Sequence, residues 1–160
     1  MVNFKASLYL KIIFILSLTA LISAYFIEHI LGHQPCNLCL IERIPYGLAL
    51  ILIIYNNAFS KNEYFVILLL ILIFIISLII SLYHLGIEQG FFEESAVCGL
   101  KNASEIISKE ELLKQLQVKT ISCKDVTFRI FGFSLTAINM IVSVFLILVL
   151  LNKFLKLLKT

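Results

Sequence analysis

Residues 65–81, FVILLLILIFIISLIIS from Phe65 to Ser81, carry no charged side chain. A helix needs about 20 predominantly apolar residues to cross the hydrocarbon core of a bilayer. Extended to Tyr64 on one side and Leu85 on the other, this stretch is long enough, and it reads as a membrane span over about 64–85. Working outward, three more stretches qualify: about 8–30, about 40–59 and about 131–151. Leu and Ile dominate all four, without the alternating, turn-punctuated pattern of a membrane barrel, so the spans are helices. The span at 40–59 is the weakest, because it contains Arg43, Pro45, Asn56 and Asn57; Pro45 reads as a kink in it.

The composition agrees. The chain is 61% hydrophobic and 14% charged, with a mean hydropathy of +1.03. A soluble domain is about half apolar and about a quarter charged. So few charges cannot solvate a water-facing surface, and lipid must be the solvent for much of the chain. The net charge of +3 is small, and the charges cluster between apolar runs without forming a basic face, so no nucleic-acid partner is expected. Lys5 and Lys11 beside the first apolar run imitate a signal peptide, but the run is too long and no small-x-small site closes it. It reads as a retained span. The fold class is therefore an all-α membrane protein, a four-transmembrane-helix bundle in a single membrane domain over 1–160.

The connections set the topology. Ser60–Lys61–Asn62–Glu63 forces an antiparallel hairpin between the second and third spans. With four spans, both termini and this turn share one side, and the loops at about 31–39 and 86–130 share the other. The termini side holds Lys5, Lys11, Lys61, Lys153, Lys156 and Lys159 against one acid, Glu63. The other side holds more acids over a longer stretch. The density of Lys near the span ends favours cytoplasmic termini. The long loop has ordinary soluble composition. Ser108-x-x-Glu111 is a capping box, and Leu112, Leu113 and Leu116 follow on one face, with Ile106 and Ile107 before them. A short amphipathic helix is expected there, on the membrane surface or packed on the rest of the loop. Asn102-Ala103-Ser104 matches a glycosylation sequon, a pattern short enough to arise by chance.

The four cysteines, Cys36, Cys39, Cys98 and Cys123, all lie in the two loops of that second side. An even count fits two disulfides or one metal site. Outside the cytoplasm disulfides persist, and a bridge between Cys98 and Cys123 would close the long loop. Cys36-Asn37-Leu38-Cys39 is a Cys-x-x-Cys pair, in which a thiolate is stabilised by a helix N-terminus or a nearby cation. Pro35 precedes it, as at a helix start. Arg43 lies four residues beyond Cys39, on the same face of a continuous helix. Its permanent charge would stabilise a Cys39 thiolate or an anionic form of a bound acceptor, although an Arg at this depth can also be an interfacial anchor. His84 and Glu88, with Tyr83 and Gln89, close the third span; Glu28, His29 and His33 close the first. Both groups fit interfacial polar anchors as well. Two cysteine pairs on one membrane face can exchange through mixed disulfides. One pair sits in a loop open to soluble partners, the other at the membrane edge within reach of a lipid-dissolved quinone. The residues thus point to an oxidoreductase that moves two electrons from an external dithiol into the membrane.

Several segments carry a family likeness: Pro35-Cys36-Asn37-Leu38-Cys39 with Glu42-Arg43; Tyr83-His84-Leu85-Gly86-Ile87-Glu88-Gln89-Gly90; and Ile121-Ser122-Cys123-Lys124-Asp125, continuing into Phe131-Gly132-Phe133-Ser134-Leu135. With the four spans, they make the chain resemble the disulfide bond formation protein B family, the quinone-dependent thiol oxidases of the bacterial inner membrane. The resemblance implies cytoplasmic termini and periplasmic cysteines. It implies that Cys98 receives the attack of a reduced, soluble DsbA-type protein of thioredoxin fold, that Cys123 exchanges with Cys36, and that Cys39 faces the quinone beside Arg43. His84, and with it Glu88, are further candidates at the quinone, which would be ubiquinone or menaquinone drawn from the membrane pool. No metal is expected.

Three rivals stand beside this reading. Four thiolates could hold zinc, but paired Cys-x-x-Cys motifs favour such a site, and only one is present. Vitamin K epoxide reductases also combine a Cys-x-x-Cys with loop cysteines, but place it late in the chain. A structural membrane subunit with inert disulfides would tolerate Cys→Ser changes with no loss of electron transfer.

Overall fold

The computed structural model describes residues 8–59, 63–94, 98, 122–124, 128–130 and 132–159. The expected loop helix at Ser108-x-x-Glu111 and the sequon at Asn102 lie outside the described residues. Among the described residues there are five helices and one small hairpin: α1 (Leu8–His29), α2 (Asn37–Ile41), α3 (Ile44–Phe59), α4 (Glu63–Glu88), β1 (Arg129–Ile130), β2 (Phe133–Ser134) and α5 (Leu135–Leu158). Among the described residues, four segments are long and apolar enough to cross a membrane: Leu8–His29, Asn37–Phe59, Glu63–Glu88 and Leu135–Leu158. The protein is an all-α multi-pass membrane protein.

Helix α4 is the centre. It packs against α5 and α3, while α1 packs against α3 and touches α5. Leu70, Phe74, Leu10, Ile13, Ile53, Leu146 and Leu150 form the fully buried core. The outward faces stay apolar as well: Ile15, Ile22, Ile51, Ile76, Ile79 and Leu148 are all more than half exposed. A contiguous apolar surface of that kind marks contact with lipid. Between α4 and α5, Ser77 and Ser143 share a hydrogen bond of 3.2 Å. Small hydroxyl residues of this sort let two membrane helices approach closely.

The ends of the bundle differ. At one end Lys156 Nζ meets the Tyr9 hydroxyl at 3.0 Å and Lys153 pairs with Glu63 at 3.6 Å, bringing the start of α1, the start of α4 and the end of α5 together. At the other end lies a second buried cluster of Cys36, Leu38, Ile87, Cys98 and Cys123.

Three helix boundaries differ from those expected of the sequence for a local reason, and the last helix also runs on to Leu158, beyond the expected end near 151. The second span begins at Asn37, because the Cys36 backbone is extended and its sulfur caps the helix by accepting the Cys39 N–H. The chain then breaks at Glu42–Arg43, and Pro45 occupies the first turn of α3. A missing N–H is tolerated there, so the interruption lies just before Pro45 and not within the helix after it. Helix α4 runs on to Glu88 and stops at Gly90, whose φ of +80° suits only glycine comfortably. The Phe91 N–H closes back on the Gly86 carbonyl at 2.8 Å. The last span starts at Leu135, after the hairpin, with Gly132 at φ +87° in the turn and Ser134 capping through the Ala137 N–H.

Candidate active site

The site grows from the cap of α2. As the N-cap, Cys36 places its sulfur where helix N–H groups point, and Sγ accepts the Cys39 N–H at 3.2 Å. The positive end of a helix favours an anion at this position. His84, one turn before the end of α4, brings Nε2 to 3.5 Å from the same sulfur. The Cys36 thiol is pulled down to about 5, chiefly by the hydrogen bond from the Cys39 thiol, against the opposing effect of burial, and then by the hydrogen bond and charge of His84. A pair in this state holds its nucleophile ionised at neutral pH.

Behind His84 is a polar network enclosed by four segments. His84 is 1% exposed. Its Nδ1 lies 3.0 Å from Glu42 Oε1 and 3.2 Å from Thr136 Oγ1. Thr136 donates to Glu88 Oε1 at 2.6 Å, and Glu88 Oε1 is 3.9 Å from His84 Nε2. Asn139 donates to Glu42 Oε2 at 3.0 Å and to Ser81 Oγ at 2.7 Å, and it accepts from the Tyr46 hydroxyl. Buried carboxylates are expensive unless hydrogen-bonded or paired. Here both are, although Glu88 Oε2 has no hydrogen-bond partner among the described residues.

On the other side of Glu42 opens a cavity of about 360 Å³ between α1, α3 and α5. Leu16, Ala20, Ile27, Ile138 and Val142 give it an apolar wall, and Cys39, Glu42, Arg43, His33 and Asn139 contribute the polar atoms. An apolar cleft with a few convergent polar groups fits a ring with polar substituents and an apolar tail. Arg43 does not stand alone at this wall. Its guanidinium is ion-paired with Glu28 of α1 and lies 5.1 Å over the Tyr25 ring. His33 stacks at a tilt on Phe128, with centroids 5.0 Å apart.

Cys98 and Cys123 form a disulfide with a Cα–Cα distance of 5.4 Å, and each is 2% exposed within the cluster that holds Cys36. Glu94 accepts hydrogen bonds from Ser122 and from the Lys124 backbone N–H, and so clasps the Cys123 turn. The Ser122 hydroxyl, with the Lys124 N–H, holds the Glu94 carboxyl below the usual carboxylate range. Cys36 and Cys39 are unbridged. Their sulfurs and one His84 nitrogen lie within 4.8 Å of one another. A closed zinc site takes four donors, and the other two cysteines are bonded to each other.

Of the residues singled out from the sequence, all four cysteines and His84 meet at one end of the bundle. Arg43 and Cys39 line the cavity, whereas His84 and Glu88 stand behind Glu42 and Cys36. Sequence reasoning assigned no role to Glu42, Thr136 or Asn139, and treated Glu28 as an anchor. Their signal was available: polar and acidic side chains inside apolar spans are costly and mark function.

Two thiol pairs, one bonded and one open, gathered at the edge of a four-span bundle beside an apolar cavity, define a membrane thiol–disulfide oxidoreductase class. The chain belongs to the disulfide bond formation protein DsbB family, whose model matches residues 6–152. It is also similar to the uncharacterized protein RP370 of Rickettsia prowazekii (strain Madrid E), 34% identical over 137 residues that cover 83% of this chain and 78% of the relative. No solved structure matches the chain.

Proposed function

We propose that this protein oxidises a soluble DsbA-type dithiol protein in the periplasm and passes the electrons to a quinone in the inner membrane, with its termini in the cytoplasm. The observation that carries this reading is the position of Cys39. It belongs to the Cys-x-x-Cys pair packed against the Cys98–Cys123 disulfide, and it also lines the apolar cavity. One face of the pair meets the exchange partner and the other meets the acceptor.

The incoming thiolate attacks Cys98, which forms the mixed disulfide and releases Cys123 as a thiolate. The donor's second thiol resolves that bond and leaves oxidised. Cys123 and Cys98 then exchange with the Cys36–Cys39 disulfide, which becomes a dithiol. Two electrons and two protons have moved from donor to membrane pair. Arg43, Cys39 and His33 would hold a quinone head group in the cavity, and ubiquinone and menaquinone both match its apolar wall. A bound quinone supplies an acceptor for two electrons and two protons.

Purified protein mixed in detergent with reduced DsbA-type donor and quinone is expected to reduce the quinone. Cys39→Ser and Cys98→Ser variants are expected to lose this. No reduction with any donor or quinone would return the chain to the structural-subunit reading.

A further inference from the structure

Two thiols lose two protons when a disulfide closes, and the two sulfurs here stand differently toward the cavity. Cys39 lines it, so its proton has a direct way out. Cys36 is 6% exposed and faces His84 instead. From Cys36 Sγ a line runs 3.5 Å to His84 Nε2, through the imidazole, and 3.0 Å from Nδ1 to Glu42 Oε1. Glu42 lines the cavity. This carboxylate is thus both the partner of the histidine on Cys36 and part of the acceptor's wall.

We propose that His84 and Glu42 are the proton path of Cys36. His84 keeps one proton on Nε2, facing the sulfur, and gains and loses a second at Nδ1 through Glu42. When exchange opens the Cys36–Cys39 disulfide, Cys36 becomes a thiolate and a proton enters at Nδ1, so the anion forms beside an imidazolium. When the Cys36 electron pair closes the disulfide again, two electrons pass to an acceptor of the quinone class. The Nδ1 proton then returns to Glu42 and leaves toward the cavity, and the Cys39 proton leaves directly. Both protons and both electrons are accounted for, and His84 ends as it began.

The hydrogen bonds describe the loaded state. Thr136 spends its one hydroxyl proton on Glu88, so toward His84 it can only accept, and Nδ1 must donate. Asn139 fixes the other Glu42 oxygen, leaving Oε1 as the exchanging one. The remaining ionisable groups around the ring are few. Glu88 from α4 favours the imidazolium, and Cys39 adjoins Cys36. Arg43 is neutralised by Glu28, and His33 lies at the cavity. Helix α5 presents Thr136 and Asn139, neither of which titrates.

The acceptor in this scheme rests on the proposed function; the proton pair does not. The first measurement is therefore made without quinone or donor. Fully reduced protein is alkylated across pH, and Cys36 modification is followed by mass spectrometry for wild type, Glu42→Gln and Glu42→Asp, with thermal unfolding checked alongside. Wild type is expected to reach half its limiting rate near pH 5. Glu42→Gln is expected to need at least one pH unit more, a tenfold loss of rate on the rising limb, and Glu42→Asp less than that. A folded Glu42→Gln protein with the wild-type profile overturns the proposal. If Glu42→Gln does not fold, a wild-type profile in Glu42→Asp overturns it, and a smaller upward shift supports it. In a second arm, the reduced pair is reoxidised by a short-chain quinone in a single turnover. Glu42→Gln is expected to be at least tenfold slower, with partial rescue by Asp, and equal rates overturn the path to the cavity. If wild type reduces no quinone, the proposed function fails, and the alkylation profile alone decides the proton pair.

Discussion

Gly86 controls where the cysteine-bearing loop begins, and replacing it with alanine tests that control. An added Cβ would lie 2.3 and 2.5 Å from two ring carbons of Phe92. Relaxed carbon contacts are about 3.5–4.0 Å, so the ring must retreat by more than about 1 Å. The ring is half exposed and can swing outward, but only by giving up its stack on Tyr83 at 5.7 Å, while its own backbone N–H stays tied to the Gly86 carbonyl. Tyr83 in turn packs on the cluster that holds Cys36, Cys98 and Cys123. Overpacking of this kind costs about 1–3 kcal/mol, offset by up to about 1 kcal/mol from the better helix propensity of alanine. Global stability should therefore change little, while the loop is pushed off its seat. With about 1.4 kcal/mol to a factor of ten, electron transfer from donor to quinone should fall about 3- to 30-fold. The assay is quinone reduction in detergent for Gly86→Ala, Phe92→Ala and the double variant. Removing the ring should rescue the alanine, so that the double variant is faster than Gly86→Ala alone. Full activity in Gly86→Ala, or a double variant no faster than it, would refute the steric reasoning.

Three further outcomes follow from the site. The Cys36 thiol is held at about 5, below its ordinary value, so its ionised form stabilises the folded, reduced protein. That contribution is complete above about pH 9 and is lost as pH falls through about 5; Cys39→Ala, which removes the largest cause, should move the alkylation midpoint of Cys36 upward. Glu28→Gln unpairs Arg43 at the cavity wall; leaving a partly buried charge unpaired should lower the thermal midpoint and change the KM for quinone more than kcat, and an unchanged midpoint would mean the pair is solvated in practice. Glu94→Gln weakens the clasp on Ser122 and Lys124; because that carboxyl is held low, the clasp should also fail in wild type as pH drops below the carboxylate range, read as a loss of protection of the Lys124 amide relative to its intrinsic exchange rate at each pH, and the variant's protection should not change with pH.

The bundle was legible because lipid imposes a blunt rule: about 20 apolar residues per crossing. Residues 65–81 carry no charge at all, and the span at 40–59 was the weakest because Arg43, which serves the cavity, falls in it together with Pro45, Asn56 and Asn57. Helix starts were less legible. Cys36 and Ser134 cap through single side-chain bonds to the backbone, and a cysteine cap has no strong compositional signature. The Cys-x-x-Cys pair stood out, but the cation it would meet did not. Spacing along a helix put Arg43 beside Cys39, whereas the guanidinium finds Glu28 on another helix and His84 reaches Cys36 from α4. Tertiary pairings of this sort, 15 and 48 positions apart, leave no mark on local periodicity.

The arrangement also explains why so much polarity is tolerated inside a bundle this apolar. A thiolate at the edge of the hydrocarbon core would be unstable without compensation. Cys36 has three sources of it: the N-terminus of α2, the Cys39 thiol and His84. Each extra charge then needs its own partner, which is why Glu42, Glu88, Thr136 and Asn139 follow in a chain from one helix to the next. Glu42 is the pivot of that chain. It is joined to His84 on one side and faces the cavity on the other, at the junction of α2 and α3. Glu42 closes α2 in helical geometry, its N–H bonded to the Leu38 carbonyl, and from that last turn its carboxylate reaches both the histidine on the exchanging sulfur and the membrane cavity. Replacing Glu42 should therefore damage Cys36 chemistry and cavity binding together, whereas a change confined to the far end of the bundle, such as Lys153→Gln, should affect neither.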